Sequence, residues 1–299
     1  MHSITFFHLE RRTFTLKIAI NAWAFPNEYS FEDCLAAAKN AGFEAIEFNV
    51  DAVGRSEHSF TIHSTDEEIL AVGELVKKYG LVVPSISSDQ SAGKWPLCDE
   101  ESRQFLFAVT EKQLRVAKLL GADTILTVPG GMQNGMLLSE SRANSIKNMR
   151  DFLPVIEKYG VKVGVENVGN TFFLSPYDVL SFIEEVGSDM VGSYLDLGNM
   201  FSFSDPIHWI DIIGDKIFKI HVKDYKRTST VNKGGAYVQL LEGDIDFKRC
   251  MQLLKKVGFD GYLTAEFGRL HPGISDEDYI NSIAASDKII KSYYDEASR

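Results

Sequence analysis

Four side chains of the types that bind metal ions occur at the ends of short apolar runs in the second half of the chain. KVGVE ends at Glu166, VGSYLD ends at Asp196, FKIHV carries His221, and GYLTAEF carries Glu266. A charge inside an apolar segment is costly unless a partner neutralises it. Three carboxylates and one imidazole remove that cost by holding a cation, and ligands that are mostly oxygen favour Mn²⁺ or Mg²⁺, with Co²⁺ or Zn²⁺ also suitable. The sequence therefore predicts a site for one divalent metal. Considered alone, Asp196 is equally suited to cap the following turn. His221, considered alone, is equally suited to pack in the core.

Three further side chains fall near strand-like runs and are candidates for contact with a ligand. Glu47 lies in the run AIEF, where a carboxylate either hydrogen-bonds a substrate or supports a metal ligand. Lys223 follows His221 by two residues, and Trp23 follows the first apolar run, KIAIN. The lysine either contacts a substrate or stays in solvent, and the tryptophan either stacks on the apolar face of a ligand or packs at a rim. We predict all three as substrate-binding residues.

These side chains need a scaffold that brings strand ends together, and the chain carries a repeating signal for one. Seven helix-like stretches end in glycine and are followed by a short apolar run, as in KNAGFEAIEF and EKYGVKVGVE. Glycine beyond the last helical turn adopts the left-handed conformation that other residues resist. Helix starts are marked at Ser30, Thr65 and Ser275, each followed three residues later by an acidic residue.

The apolar runs are short and rich in isoleucine and valine, which is typical of strands buried on both faces. Eight such strands alternating with helices predict an α/β fold with a parallel sheet, and eight units close into a single (β/α)8 TIM barrel. An open doubly wound sheet is the alternative, although no GxGxxG follows the first strand. We predict the barrel over residues 16–299 and a poorly ordered extension over residues 1–15. The longest non-periodic stretches, near 51–62, 88–99 and 226–243, are then expected to be loops at the C-terminal mouth, where the four ligands would meet.

Composition narrows the classes of function. The chain has 299 residues, of which 44% are hydrophobic, enough for a sizeable core. Its net charge of -11 disfavours nucleic acid as a partner, and no apolar run reaches the roughly 18 residues of a membrane span. Cys34, Cys98 and Cys250 have neither paired nor CxxC spacing, which predicts a reducing, cytoplasmic location and cysteines that pack as small apolar residues.

The motifs VGVEN, YLDLGN, KIHVKD and LTAEF, each on its own predicted strand, resemble the xylose isomerase-like TIM barrel superfamily. Within it they are most similar to the sugar phosphate isomerase/epimerase group, which includes D-tagatose 3-epimerase-like enzymes. The resemblance implies that Glu166, Asp196, His221 and Glu266 bind one divalent metal, often Mn²⁺. It also implies that Glu166 and Glu266 act as the acid/base pair, and that Arg227, six residues after His221, contacts the substrate.

One departure from the family pattern bears on the substrate. The epimerases carry a substrate-binding histidine three residues after the metal aspartate, whereas this chain has Asn199 there. The form DLGN resembles other branches of the superfamily, including cyclitol and keto-sugar isomerases and dehydratases. We expect Asn199 to contact the substrate, which is a free sugar, a sugar phosphate or a cyclitol.

The implied chemistry starts with the proton beside a ketone. A divalent metal stabilises the enediolate that forms when a carboxylate removes that proton. Return of a proton to the opposite face of the same carbon is epimerisation, return to the neighbouring carbon is isomerisation, and loss of a β-hydroxyl is dehydration. We predict a metal-dependent isomerase or epimerase of a keto-sugar or sugar phosphate, with Mn²⁺ as the expected cation. The alternative is a dehydratase or lyase acting on a keto-cyclitol or a 3-keto-sugar.

Two other classes are less consistent with the residues. A phosphodiester hydrolase similar to endonuclease IV would need additional histidines, which the ends of the third and fourth predicted strands do not supply. A barrel without turnover would serve as a sugar-sensing or assembly subunit, and the complete ligand set argues against this role. The expected partner is therefore a small carbohydrate, with no nucleic acid or membrane, and the fold is compatible with a homo-oligomer.

Overall fold

The structure, a computed structural model, describes residues 15–131, 135–268 and 273–297 of the chain. The predicted extension, residues 1–15, lies outside the described residues except for its last residue. The eight strands of the barrel within the described ranges are β1 Leu16–Asn21, β2 Ala45–Asn49, β3 Ser85–Ser87, β4 Thr124–Thr127, β5 Lys162–Glu166, β6 Val191–Asp196, β7 Ile217–Val222 and β10 Gly261–Ala265.

These strands are parallel and close on themselves. Strands β1 to β7 each pair with their chain neighbours, and β10 closes the barrel by pairing with both β7 and β1. The single (β/α)8 barrel predicted from the sequence is therefore confirmed. The helices that surround it are α1 Phe31–Ala41, α2 Asp66–Tyr79, α3 Glu100–Leu120, α4 Leu138–Tyr159, α5 Pro176–Val186, α6 Pro206–Ile213, α7 Phe247–Val257 and α8 Asp276–Glu296.

Helix boundaries follow the local signals in the sequence. Ser30 accepts a hydrogen bond from the backbone N–H of Asp33, whose carboxylate accepts one from the backbone of Ser30. Thr65 and Glu68 cap α2 in the same reciprocal way. At its other end α1 stops at Gly42, whose φ of 92° lies in the left-handed region. The strand that follows each helix can therefore start at a defined residue, which sets where its carboxyl end lies.

Two segments depart from the simple alternation of strand and helix. β3 has only three residues, because Pro84 has no N–H to donate and the preceding Val82 makes a single bridge with Ala45. The stretch near 226–243, expected to be a loop, contains part of an antiparallel hairpin formed by β8 Asp224–Arg227 and β9 Gly235–Val238. This hairpin directly follows β7 and brings side chains to the mouth of the barrel.

The remaining expectations from composition have mixed outcomes. Cys34 and Cys250 are buried in the core, but Cys98 is exposed, so the prediction that each cysteine packs as an apolar residue is wrong for Cys98. Cys98 lies in the segment before α3, outside the packed layers. Among the described residues, no helix has the length and apolar character needed to cross a membrane. The cytoplasmic location stays a prediction.

Candidate metal centre

The ends of four barrel strands bring the predicted ligands into one cluster. Glu166 is the last residue of β5, Asp196 is the last of β6, His221 lies in β7, and Glu266 directly follows β10. Asp196 and His221 are paired across neighbouring strands. One candidate ligand atom from each residue lies within 4.8 Å of all the others. Closure of the barrel thus places residues from four separate units within reach of a single cation.

The cluster contains unsatisfied acceptors of the kind that a cation requires. Oδ1 of Asp196 accepts the N–H groups of Gly198 and Asn199, each at 2.7 Å, so this oxygen caps the following turn. Oδ2 of Asp196 and Oε2 of Glu266 are buried, and neither accepts a hydrogen bond from the described part of the chain. Such oxygens are costly, and a divalent cation would satisfy both. The set of three carboxylates and one imidazole therefore fits a divalent metal.

Lys223 and Asn199, both predicted to bind substrate, lie beside the ligands. Nζ of Lys223 is 3.0 Å from Oδ2 of Asp196 and 2.7 Å from Oε2 of Glu266, which is ion-pair distance without hydrogen-bond geometry. The same Nζ donates a hydrogen bond to Oδ1 of Asn199 at 3.1 Å. Nδ2 of Asn199 donates to Oε1 of Glu166 at 3.3 Å. The lysine thus partly neutralises the acidic cluster, and the asparagine connects it to a metal ligand.

Glu47 lies beneath the ligands and does not face the mouth. Its side chain is fully buried, and its Oε1 is 2.7 Å from Nε2 of His221. The other oxygen, Oε2, accepts a hydrogen bond from Ser85 at 2.5 Å. Of the two roles considered for Glu47, this position fits support of a metal ligand and does not fit direct contact with a substrate, because both oxygens are engaged within the barrel.

A cavity of about 360 Å³ adjoins the cluster and gives a ligand access to it. Trp23 lines this cavity and donates from its Nε1 to Asp51 at 2.9 Å. Arg227 lies instead at the far end of β8, with its guanidinium carbon 3.6 Å from the centroid of the Phe201 ring. The structure therefore brings Trp23, but not Arg227, to the wall of this cavity. The described residues of that wall are Trp23, Arg55, Lys223, Tyr237, Glu266, Phe267 and Gly268.

Burial and neighbouring charges drive the pKa values of the two glutamates apart. Burial raises the pKa of Glu166 to about 7, and the charge of Glu266 adds to this effect. Burial also acts on Glu266, but the charges of Lys223 and His221 outweigh it and hold the pKa of Glu266 below its ordinary value. The two carboxyl groups therefore differ in electrostatic environment although they belong to one cluster.

Sequence reasoning missed several residues around these groups. Tyr194 and Ser85 contact Glu47 inside the barrel, and Arg55 and Tyr237 line the cavity. Residues two apart in a strand share a face, so the position of Tyr194 two residues before the predicted ligand of β6 was a usable signal. Arg55 and Tyr237 come from a loop and from the hairpin, where no periodic pattern predicts orientation.

Comparison with known proteins gives matches over most of the chain. A family model described as a xylose isomerase-like TIM barrel matches residues 35–288. The chain is 25% identical over 253 residues to the putative L-ribulose-5-phosphate 3-epimerase SgbU of Haemophilus influenzae, covering 84% of this chain and 88% of that protein. It is 23% identical over 273 residues to the 2-oxo-tetronate isomerase of the same species, covering 84% and 93%. A match to the uncharacterized protein MJ1311 of Methanocaldococcus jannaschii, 22% identical, covers 54% of this chain and 56% of that protein.

Two solved structures share the fold. The IOLI protein with a binding zinc atom superimposes with a TM-score of 0.77 at 18% identity, covering 93% of this chain and 99% of that one. L-ribulose 3-epimerase superimposes with a TM-score of 0.76 at 18% identity, covering 94% and 96%. The family model spans the segment that carries all four clustered residues. With this match, the chain belongs to the xylose isomerase-like TIM barrel family.

Proposed function

We propose that the protein is a metal-dependent epimerase or isomerase of a keto-sugar or a sugar phosphate. The observation that carries the proposal is the convergence of Glu166, Asp196, His221 and Glu266 at the mouth of the barrel. The names of two relatives, a putative L-ribulose-5-phosphate 3-epimerase and a 2-oxo-tetronate isomerase, support the same class of reaction. We propose Mn²⁺ as the cation.

The ligands also include the groups that would move the proton. A divalent cation held by the four ligands would stabilise negative charge on the substrate oxygens as the proton beside the ketone leaves. Glu266 and Glu166, which lie at the ends of different strands and both reach the cluster, are proposed as the pair of which one takes that proton and the other returns one. Return to the opposite face of the same carbon makes the protein an epimerase, and return to the adjacent carbon makes it an isomerase.

The same geometry supports the proposed contacts with the substrate. Lys223 and Asn199 adjoin the ligands and are proposed to hydrogen-bond hydroxyl or carbonyl oxygens of the substrate. Trp23 lines the cavity and offers a ring on which the apolar face of a sugar stacks. Arg227, predicted from the resemblance, lies on the hairpin whose Tyr237 lines the cavity, and is proposed to meet only the distal end of an extended substrate.

A dehydratase acting on a keto-cyclitol or a 3-keto-sugar is the second candidate. Asn199 favours it, because this position lacks the histidine of the resembling epimerases and is bonded to Lys223 at 3.1 Å. The ammonium group of Lys223 can hydrogen-bond a leaving β-hydroxyl and stabilise the negative charge that develops on it, whereas an epimerisation has no leaving group to stabilise.

A substrate screen in deuterated water tests both candidates. The protein, loaded with Mn²⁺, is incubated with free ketoses, ketose phosphates, inososes and 3-keto-glycosides, and products are read by NMR and mass spectrometry. We expect a product of unchanged composition that carries deuterium on the carbon beside the carbonyl, and no reaction after chelation. A product that has lost water identifies the dehydratase. Turnover without exchange of that hydrogen, or full turnover without metal, would contradict the proposal.

A further inference from the structure

The imidazole of His221 has polar partners on both nitrogens. Nδ1 lies 2.8 Å from Oε2 of Glu266 and 3.4 Å from Oε1 of Glu166, so this nitrogen faces the other ligands. Nε2 faces away from them and lies 2.7 Å from Oε1 of Glu47. The ring therefore presents one nitrogen to the metal centre and the other to a carboxylate on its far side.

Glu47 is held by four donors at once. Its Oε1 accepts a hydrogen bond from Nδ2 of Asn21 at 2.6 Å in addition to the one from His221. Its Oε2 accepts from Ser85 at 2.5 Å and from the hydroxyl of Tyr194. A carboxylate in this environment offers only acceptors, so Nε2 of His221 carries a hydrogen, and Nδ1 is the nitrogen left to bind a cation held among the other ligands.

The contact between Glu47 and His221 crosses the interior of the barrel. Glu47 lies on β2 and His221 on β7, and these two strands are not neighbours in the sheet. The ring of Tyr194, on β6, packs beside the imidazole with 4.5 Å between centroids while its hydroxyl reaches Glu47. The three side chains are fully buried, so the position of the imidazole is set from two sides of the barrel.

We infer that Glu47 is a positioning residue for the metal centre: it holds His221 in the tautomer and orientation in which Nδ1 binds the cation. This inference rests on the metal centre of the proposed function. A carboxylate behind a ligating histidine makes the imidazole a better ligand and removes the need to reorient it on binding. Loss of such a partner typically weakens metal affinity by about 10- to 100-fold.

The substitution Glu47→Gln tests the inference through metal affinity, without an assay of turnover. Gln keeps the size and one acceptor oxygen but removes the charge and can present an amide to the imidazole. Isothermal titration of metal-free wild type and variant with Mn²⁺ and with Zn²⁺ should show affinity weakened by about 10- to 100-fold. Asp51→Asn is the matched control, because this buried carboxylate lies just beyond the end of the strand that carries Glu47 but contacts Trp23 and Ser59. Its metal affinity should equal that of the wild type.

A second measurement reports the tautomer directly. Long-range ¹H–¹⁵N spectra of the histidine side chains should show, in the Zn²⁺-bound wild type, one buried imidazole that carries its hydrogen on Nε2 alone, and loss of that single form in Glu47→Gln. If Glu47→Gln does not fold, Tyr194→Phe and Ser85→Ala, which each remove one donor to Glu47, replace it. Each should weaken metal binding by less than about tenfold and disturb the same imidazole signal.

The outcomes separate this inference from the function on which it rests. Wild type that binds no divalent metal overturns both. Wild type that binds metal while Glu47→Gln, or its two replacements, keeps the same affinity and the same imidazole signals overturns the role of Glu47 alone. Equal weakening in Asp51→Asn would also overturn it, since the effect would then belong to any buried carboxylate in or just beyond this strand.

Discussion

The two ends of the barrel deal with charge in opposite ways. At the N-terminal end, Lys219 lies 2.7 Å from Asp123, whose side chain is 73% exposed. Lys162 lies over the ring of Phe218, 4.5 Å from its centroid. These charges line a cavity of about 410 Å³, which is larger than the cavity at the mouth. At this N-terminal end, however, both of these lysines have a partner, and the side chain of Asp123 reaches water.

At the mouth, the negative charges are buried together. The side chains of Glu166, Asp196 and Glu266 are at most 13% exposed. Asp196 and Glu266 both lie within ion-pair distance of the same ammonium group, that of Lys223. The comparison shows that neither the size of a cavity nor the presence of charge marks the site. A cluster of buried carboxylates that outnumbers the nearby cationic groups does, because a further cation held between those carboxylates offsets the cost of burying their charges.

The largest difference between the two ends is expected in turnover, when one carboxylate is removed from each end in separate variants. Glu166→Gln should lower turnover by about 10² to 10⁴-fold, because it removes one partner of the proposed acid/base pair. Asp123→Asn, at the opposite end, should leave turnover unchanged. Steady-state kinetics on the substrate found in the screen measures both. Equal losses in the two variants would break the contrast between the ends.

Binding of metal should stabilise the protein through the mouth alone. With free Mn²⁺ at about 100 times its Kd, the free energy of unfolding should rise by about 2.7 kcal/mol, because the cation binds only the folded state. Urea unfolding with and without Mn²⁺ measures this rise. Asp196→Asn, which removes a ligand charge, should lose most of it, and Lys219→Met should keep it. A rise that survives in Asp196→Asn would place the cation elsewhere.

Asp287 sharpens the comparison, because it is a buried carboxyl group away from both ends. It lies on α8, is fully buried, and neither oxygen has a hydrogen-bond partner among the described residues. Burial raises its pKa well above the ordinary value of 3.8, so the folded state favours the protonated form. The contribution of Asp287 to the stability of the folded state therefore becomes less favourable as the pH rises above about 3.8.

Asp287→Asn, which cannot ionise, should be more stable than the wild type by about 1 to 3 kcal/mol at neutral pH. The difference should shrink as the pH falls towards 3.8, the ordinary value. Urea unfolding across this pH range measures it. A difference with this pH dependence would show that burial alone accounts for the cost of the Asp287 carboxyl group. Added Mn²⁺ should not reduce the difference in the free energy of unfolding between the variant and the wild type. A variant less stable than the wild type at neutral pH would show that the carboxyl group is favourably held.

The smallest effect is expected from the ion pair at the N-terminal end. Lys219→Met keeps the apolar stem of the side chain and leaves Asp123 exposed to water, so no charge is left buried. The free energy of unfolding should change by less than about 1 kcal/mol. Thermal unfolding of the variant beside the wild type measures this change. A loss of several kcal/mol would show that this end depends on its charges as much as the mouth does.

The features that could be predicted are those set by local chemistry. A serine or threonine with an acidic residue three positions later favours a helix start when an apolar helical pattern follows, and Ser30 and Thr65 cap helices here. The identity of the four clustered residues was also accessible, because each lies at the end of its own apolar strand. Once the strands were assigned to a barrel, convergence of their carboxyl ends followed from the topology.

Contacts across the barrel were not predictable in the same way. Glu47 is separated from its partner His221 by 174 positions, and its role depends on which face of β2 points inwards and how the strands are staggered. The hairpin of β8 and β9 lies in a stretch of sequence without hydrophobic periodicity. No local signal in the sequence therefore predicted that Tyr237 would line the cavity. Arg227 was predicted to contact the substrate from its position six residues after His221. Such an offset does not determine where the side chain points once the chain enters a hairpin.

The sequence by itself determined the alternation of strand and helix, the number of units and the chemical types at the strand ends, because these depend on capping, periodicity and residue chemistry within a few positions. Only the tertiary structure decided that the sheet closes, which acidic groups lie close enough to share a cation, and which support a neighbour. Those roles depend on distances of about 3 Å between side chains from different strands, and on burial, which decides whether a carboxylate is solvated or must find a partner.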